Sequence, residues 1–278
     1  MHPLEGPRLR VIRAKQQIKT LERLMNEFCN SHYYEAIGAE IDPKTGKQAL
    51  RIYGVEQPPV EWGIDIGEIA HNLRAALDGM TWQLALLKNP HPSQLTQFPV
   101  FLRGHTIRRR KARKGKGAPL PSFWGTERGD GIGGHIKSLH PCHQAALERF
   151  QPYKRGNGRT RSPVYLLHEI NNADKHRLIQ VVALRTIAAT FGSVGARDAS
   201  YDDIRFDLRY RRPLKDGAKV GDGDPAFIKH VDMAPQVVPA IAFGEGCDAA
   251  QGLLVGQHLR KIAAHVEDIV ESFSPEFS

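Results

Sequence analysis

Apolar residues recur at helical spacing along several long stretches of the chain. Ala14, Ile18, Leu21, Met25 and Phe28 share one seam, and Ile66, Ala70, Leu73, Leu77, Met80, Leu84 and Leu87 keep the same rhythm over about six turns. Val255, Leu259, Ile262, Val266, Ile269 and Phe273 close the chain in the same way. Ser162 and Pro163, an N-cap and a first-turn proline, open a further helix predicted to reach about residue 182, and a short helix is predicted over 141–150. Segments 33–41 and 48–55 flank Asp42-Pro43-Lys44-Thr45-Gly46 and read as a hairpin. Ile204, Phe206, Leu208 and Tyr210 alternate as a strand, and 227–231 and 237–243 are further strand candidates. Strands and helices do not alternate in βαβ units. The pattern therefore predicts an α+β fold: four longer helices packed as a bundle beside antiparallel strands, in a single domain over 1–278.

One seam is interrupted. On the helix predicted over 163–182 the seam positions are Leu167, Asn171, Asp174, Leu178 and Val181, two of them polar. An unpaired carboxylate is costly to bury, so Asp174 is expected to meet a cation or a set of donors. The helix over 64–87 offers His71, Arg74 and Asp78 on a stripe beside its apolar seam, with Arg74 the favoured partner and His71 the second. The expected structural pair is Arg74 with Asp174, with Asn171 beside it. These groups form either a lock between helices or an acid/base site where the two helices face each other.

Charge adds a second candidate. The 278 residues carry a net charge of +9, and 41% of them are apolar, as in an ordinary globular chain. The segment 101–117 holds Arg103, Arg108, Arg109, Arg110, Lys111, Arg113, Lys114 and Lys116 and no acid, which leaves +1 for the remainder. It lies in an irregular stretch over about 89–134, far longer than an ordinary connection. Such an arm neutralises phosphates, so DNA or RNA is the expected partner. It has no interleaved aromatic, which argues against base stacking, and a solvated insertion is the alternative reading. No apolar run approaches the length of a membrane helix and the N-terminus lacks a signal-like segment, so no membrane association and a cytoplasmic location are expected. Cys29, Cys142 and Cys247 are widely spaced and predict no disulfide framework.

Catalytic and metal motifs match only in part. His168-Glu169-Ile170-Asn171-Asn172 opens like the zinc-protease motif, but Asn172 stands where the second histidine ligand belongs. No cofactor is expected; the alternative is a divalent metal on Glu68 and His71 with His168 or His176. His135, His140, Cys142 and His143 are too tightly spaced for a usual zinc site, and a helix start accounts for them equally well. Gly129, Gly131, Gly133 and Gly134 lack the strand and Lys-Ser/Thr of a phosphate loop. Cys142 beside His143 points the wrong way for mutual activation, and His258 and His265 are expected to face solvent.

Gly67-Glu68-x-x-His71-Asn72-Leu73-Arg74-x-x-Leu77-Asp78, Phe98-Pro99-Val100-Phe101, Gln151-Pro152-Tyr153 and Asn171-Asn172-Ala173-Asp174-Lys175-His176-Arg177 together resemble a group of uncharacterised bacterial and phage-associated proteins over roughly residues 60–185. That resemblance implies a shared fold and site without a reaction. A looser likeness is to the HEPN helical domains, which cut RNA without metal through an Arg and a His on one helix. It implies a composite site of Arg74 and His176, with His71, as phosphate clamp and acid/base pair. Two functions follow from the residues: a nucleic-acid-associated binding protein using the arm 103–116, or a hydrolase, metal-independent and RNase-like or metal-dependent, between the helices 64–87 and 163–182.

Overall fold

The computed structural model describes residues 2–32, 34, 35, 37–104, 136–187, 204–206, 214–225 and 236–278. Helix α1 spans Glu5–Ser31, and α2 spans Glu61–Leu86. The short α3 is Pro141–Arg149, α4 is Pro163–His176 and α5 is Val255–Ser272. Four of these, α1, α2, α4 and α5, form the predicted bundle. Helix α2 is central and packs against the other three, which explains why its buried face, from Trp62 to Ala85, is wider than a single seam. Helices α1 and α5 are also joined at the surface by Arg8–Glu271 at 2.7 Å, Lys15–Glu267 at 2.5 Å and Arg260–Glu22. Exposed pairs of this kind contribute little individually, about 0 to 1 kcal/mol, but they are consistent with one register.

Among the described residues the strands form two antiparallel sheets, in the order β1 (Tyr34–Glu35), β7 (Gln236–Phe243) and β4 (Val181–Ile187), and β2 (Ile37–Ile41), β3 (Gln48–Arg51), β6 (Lys219–Gly223) and β5 (Ile204–Phe206). The predicted hairpin exists as β2 (Ile37–Ile41) and β3 (Gln48–Arg51). Just before it, β1 (Tyr34–Glu35) leaves for the other sheet and pairs with β7 (Gln236–Phe243). Strand β5 (Ile204–Phe206) and β6 (Lys219–Gly223) complete the second sheet; Leu208, Tyr210 and the candidate at 227–231 lie outside the described residues.

The helix predicted over 163–182 is corrected at its C-terminal end. It stops at His176, Arg177 is extended at φ −151°, and β4 (Val181–Ile187) follows. Leu178 and Val181 fit a helical seam only by coincidence, because the same stretch also alternates. Ile179, Val181 and Ala183 are 1%, 8% and 0% exposed, and β4 pairs with β7 from Val181↔Phe243 to Ile187↔Val237. Ile179, Val181, Ile241 and Phe243 belong to the bundle core, whereas Ala183 joins Tyr34, Leu50, Ile52, Leu214 and Val220 in a smaller core between the sheets.

Candidate functional site

Arg74 is buried at 9% exposure, but Asp174 is not its partner. Its Nε donates to Asp78 Oδ2 at 3.1 Å, one turn along α2, and its Nη2 donates to the Phe98 carbonyl at 2.6 Å. Asp78 Oδ1 in turn accepts from the Phe98 N–H at 2.8 Å. The same incoming segment is held from a second side by the buried Gln151. Its amide donates to the Pro99 carbonyl at 2.7 Å and its Oε1 accepts from the Phe101 N–H at 3.0 Å. Phe98-Pro99-Val100-Phe101 has no sheet partner among the described residues, and these side chains satisfy backbone groups that burial would otherwise leave unpaired. The Arg74 Nη1 has no hydrogen-bond partner among the described residues.

Asp174 is exposed, which corrects the expected buried pair. Its carboxylate lies directly on the backbone of α2 at Gly67: a methyl group there would sit 1.9 Å from Asp174 Oδ1. One turn earlier, a methyl group on Gly63 would sit 2.1 Å from the Ile179 carbonyl oxygen. Two glycines spaced i, i+4 thus let the end of α4 and the chain after it touch α2, and the close approach carries Asp174 past the core to its rim. Asn171, three residues earlier, is buried as predicted.

At that rim Ile64, Gly67, Glu68, His71, Asn72 and Asp174 line an open cleft of about 380 Å³. Gln17 of α1 closes one side, donating to Glu68 Oε2 at 3.1 Å and accepting from Asn72 Nδ2 at 3.0 Å. Of the three residues expected to form an acid/base site, only His71 is here. Arg74 is committed to Asp78 and Phe98, and the exposed His176 at the end of α4 does not line the cleft. Glu68 and His71 share the cleft but His168 does not line it, and among the described residues no three His, Cys, Asp or Glu side chains converge to hold a metal ion.

His168 is half-buried on α4, with Asn172 Nδ2 3.0 Å from its Nε2. Burial, with smaller contributions from the Arg74 and Lys175 cations, pushes its pKa down to about 4. The unfolded chain binds this proton near the ordinary histidine value, so the neutral ring stabilises the fold fully above about pH 6.5. That stability is lost as pH falls towards 4, on the order of 3 kcal/mol in all. Denaturant melts from pH 7 to pH 4 should show this loss, and His168→Asn should reduce it; an equally steep loss in the variant would locate it elsewhere.

The remaining sequence candidates are structural or lie outside the described residues. The His140 ring caps the start of α3, accepting from the Cys142 N–H at 3.4 Å, and His143 pairs with Glu276 at 3.0 Å. His135, the four glycines at 129–134 and the arm from Arg108 to Lys116 lie outside the described residues. The three cysteines are free thiols. His258 and His265, expected to face solvent, are half-buried on α5. No helix among the described residues is long and apolar enough to cross a membrane.

The described part of the arm is its root. Arg103 is half-exposed, and the chain at Gly104 crosses the Tyr153 ring so closely that a methyl group would sit 2.9 Å from Cε2. Tyr153 itself donates to Glu148 Oε1 at 2.5 Å. The role of Gln151 and Tyr153 in seating this root was not predicted; the Gln-Pro-Tyr triplet after a short helix was its only sequence signal.

No family model, curated protein or solved structure matches the chain.

Proposed function

We propose that this is a nucleic-acid-associated binding protein whose main contact is the basic arm Arg103, Arg108, Arg109, Arg110, Lys111, Arg113, Lys114 and Lys116. The observation that carries the reading is the concentration of eight cations without one acid in a chain whose net charge is +9. The seating of the arm's root supports it, because a charged segment fixed to a rigid body presents its charges from one place. Arg74, Asp78 and Gln151, all from motif stretches, hold the Phe98 segment. We propose on that ground that the motifs shared with the bacterial and phage-associated group mark an arm-bearing scaffold. The hydrolase reading draws less support, since the cleft contains His71 without Arg74 or His176.

The test replaces the eight arm cations by glutamine and measures binding to mixed-sequence DNA and RNA at several salt concentrations. Each lost phosphate contact should flatten the log–log salt slope by about 0.9, and affinity near 0.1 M salt should fall at least about a hundredfold. Unchanged affinity with an unchanged slope would remove the reading.

A further inference from the structure

Between Glu148 and Glu169 the chain carries Arg149, Lys154, Arg155, Arg159 and Arg161 and no acid. Four of these cations lie on the 3-10 segment Pro152–Arg161, which kinks at Gly156 (φ 55°). All eight residues from 154 to 161 are exposed. Lys154 is paired with Glu148 at 2.9 Å, whereas Arg155, Arg159 and Arg161 have no ion pair among the described residues. The segment starts beside the arm's root, because Gly104 lies on Tyr153 and Lys154 follows it. The two acid-free segments together hold more positive charge than the net +9 of the whole chain, so the rest is net acidic.

We propose that Arg155, Arg159 and Arg161 form a second, sequence-independent contact for a nucleic-acid backbone, on the folded body beside the root of the arm at Gly104. Arg155, Arg159 and Arg161 are held by no ion pair among the described residues, and the planar guanidinium fork matches the paired oxygens of a phosphodiester. The chain from 154 to 161 is Lys-Arg-Gly-Asn-Gly-Arg-Thr-Arg, without an apolar or aromatic side chain. A lipid surface would call for apolar residues to enter it, and base recognition for stacking or groove-reading groups, so backbone contact is the chemistry that fits. Arg155 is also near enough to α5 for its charge to join burial in lowering the pKa of His265, so the segment lies against the bundle and not apart from it. The inference shares the polyanionic partner of the arm reading but rests on different residues.

The experiment compares the full chain, the arm-neutralised chain, R155Q/R159Q/R161Q and the combination, each titrated with a short mixed-sequence DNA duplex and the matching RNA at several salt concentrations. The triple variant should bind about tenfold or more weakly and lose about three from the salt slope, in both the parent and the arm-neutralised background. R155K/R159K/R161K should restore the slope, because charge and not shape is what counterion release reads. If the triple variant melts early, the single variants R155Q, R159Q and R161Q, each expected to remove about 0.9 from the slope, carry the same test. A slope unchanged by the glutamine variants overturns the inference while leaving the arm reading intact. Loss of binding in the triple variant with none in the arm-neutralised chain does the reverse. Absence of nucleic-acid binding by the parent, with or without arginine-dependent binding to phosphatidylserine vesicles, overturns both.

Discussion

Asp78→Ala should destabilise the fold by about 2 to 4 kcal/mol, and it should do so by releasing a segment 20 residues away. Removing the carboxylate strands the Arg74 guanidinium, whose side chain is only 11% exposed, with the Phe98 carbonyl as its one remaining acceptor among the described residues. It also leaves the Phe98 N–H without its acceptor. The lower part of that range allows for Asp78 itself, at 32% side-chain exposure, because partial solvation weakens the pair. Replacing both members, as R74M/D78L, should recover much of the loss, since an uncompensated buried charge costs more than the absence of a pair. Chemical denaturation of the three proteins checks the energies, and amide exchange at Phe98 checks the cause. A single variant no less stable than the double one would mean that the pair does not anchor this segment.

Gly63→Ala should cost about 3 kcal/mol, at the upper end of what one added methyl usually does. The obstruction is the Ile179 carbonyl oxygen, 2.1 Å from the new carbon, and it belongs to backbone that runs directly into β4. Such an atom moves only if the strand moves. Gly67→Ala meets the Asp174 carboxylate at 1.9 Å, yet that group is exposed and free to rotate away, so about 1 kcal/mol is expected. Gly79, in the middle of the same helix, provides the control. Its methyl group would lie 3.5 Å from Pro7 Cγ, an ordinary contact, and alanine there should stabilise by about 0.5 to 1 kcal/mol through helix propensity. Thermal melts should rank the three in that order; equal effects at Gly63 and Gly79 would show that the close approach does not constrain α2.

The bundle was legible because its seams are long and its polar positions face water. α2 and α5 begin and end near their predicted bounds, α1 starts at Glu5, well before the first seam residue Ala14, and six of the seven seam residues predicted on α2 are buried. The end of α4 was not legible, because Leu178 and Val181 satisfy a seven-residue spacing while Ile179, Val181 and Ala183 satisfy a two-residue one. Only pairing with β7, 50 to 62 residues downstream, decides between them. The partner of Asp174 was misread for a related reason. Seam position implies burial only if helices approach at an ordinary distance, and Gly67 allows the last turn of α4 to come closer and tip its carboxylate outward. Arg74 then turns to Asp78, an i, i+4 neighbour visible in the sequence, and to a backbone carbonyl that no side-chain pattern reveals. β6, as Lys-Val-Gly-Asp-Gly, has too few β-forming residues to announce itself and exists because β3 and β5 flank it.

The order of elements along the chain also divides the molecule into two interleaved halves. Residues before 105 supply α1, α2, β1, β2 and β3; residues after 135 supply α3, α4, α5, β4, β5, β6 and β7. The first half holds the extensive α1–α2 contact, but the core is completed by both halves. Helix α2 packs against α4 and α5 of the second half and α1 against α5, and each sheet draws strands from both. Each half therefore completes apolar surface of the other. The arm is thus carried between two groups of elements that share the helical core and both sheets.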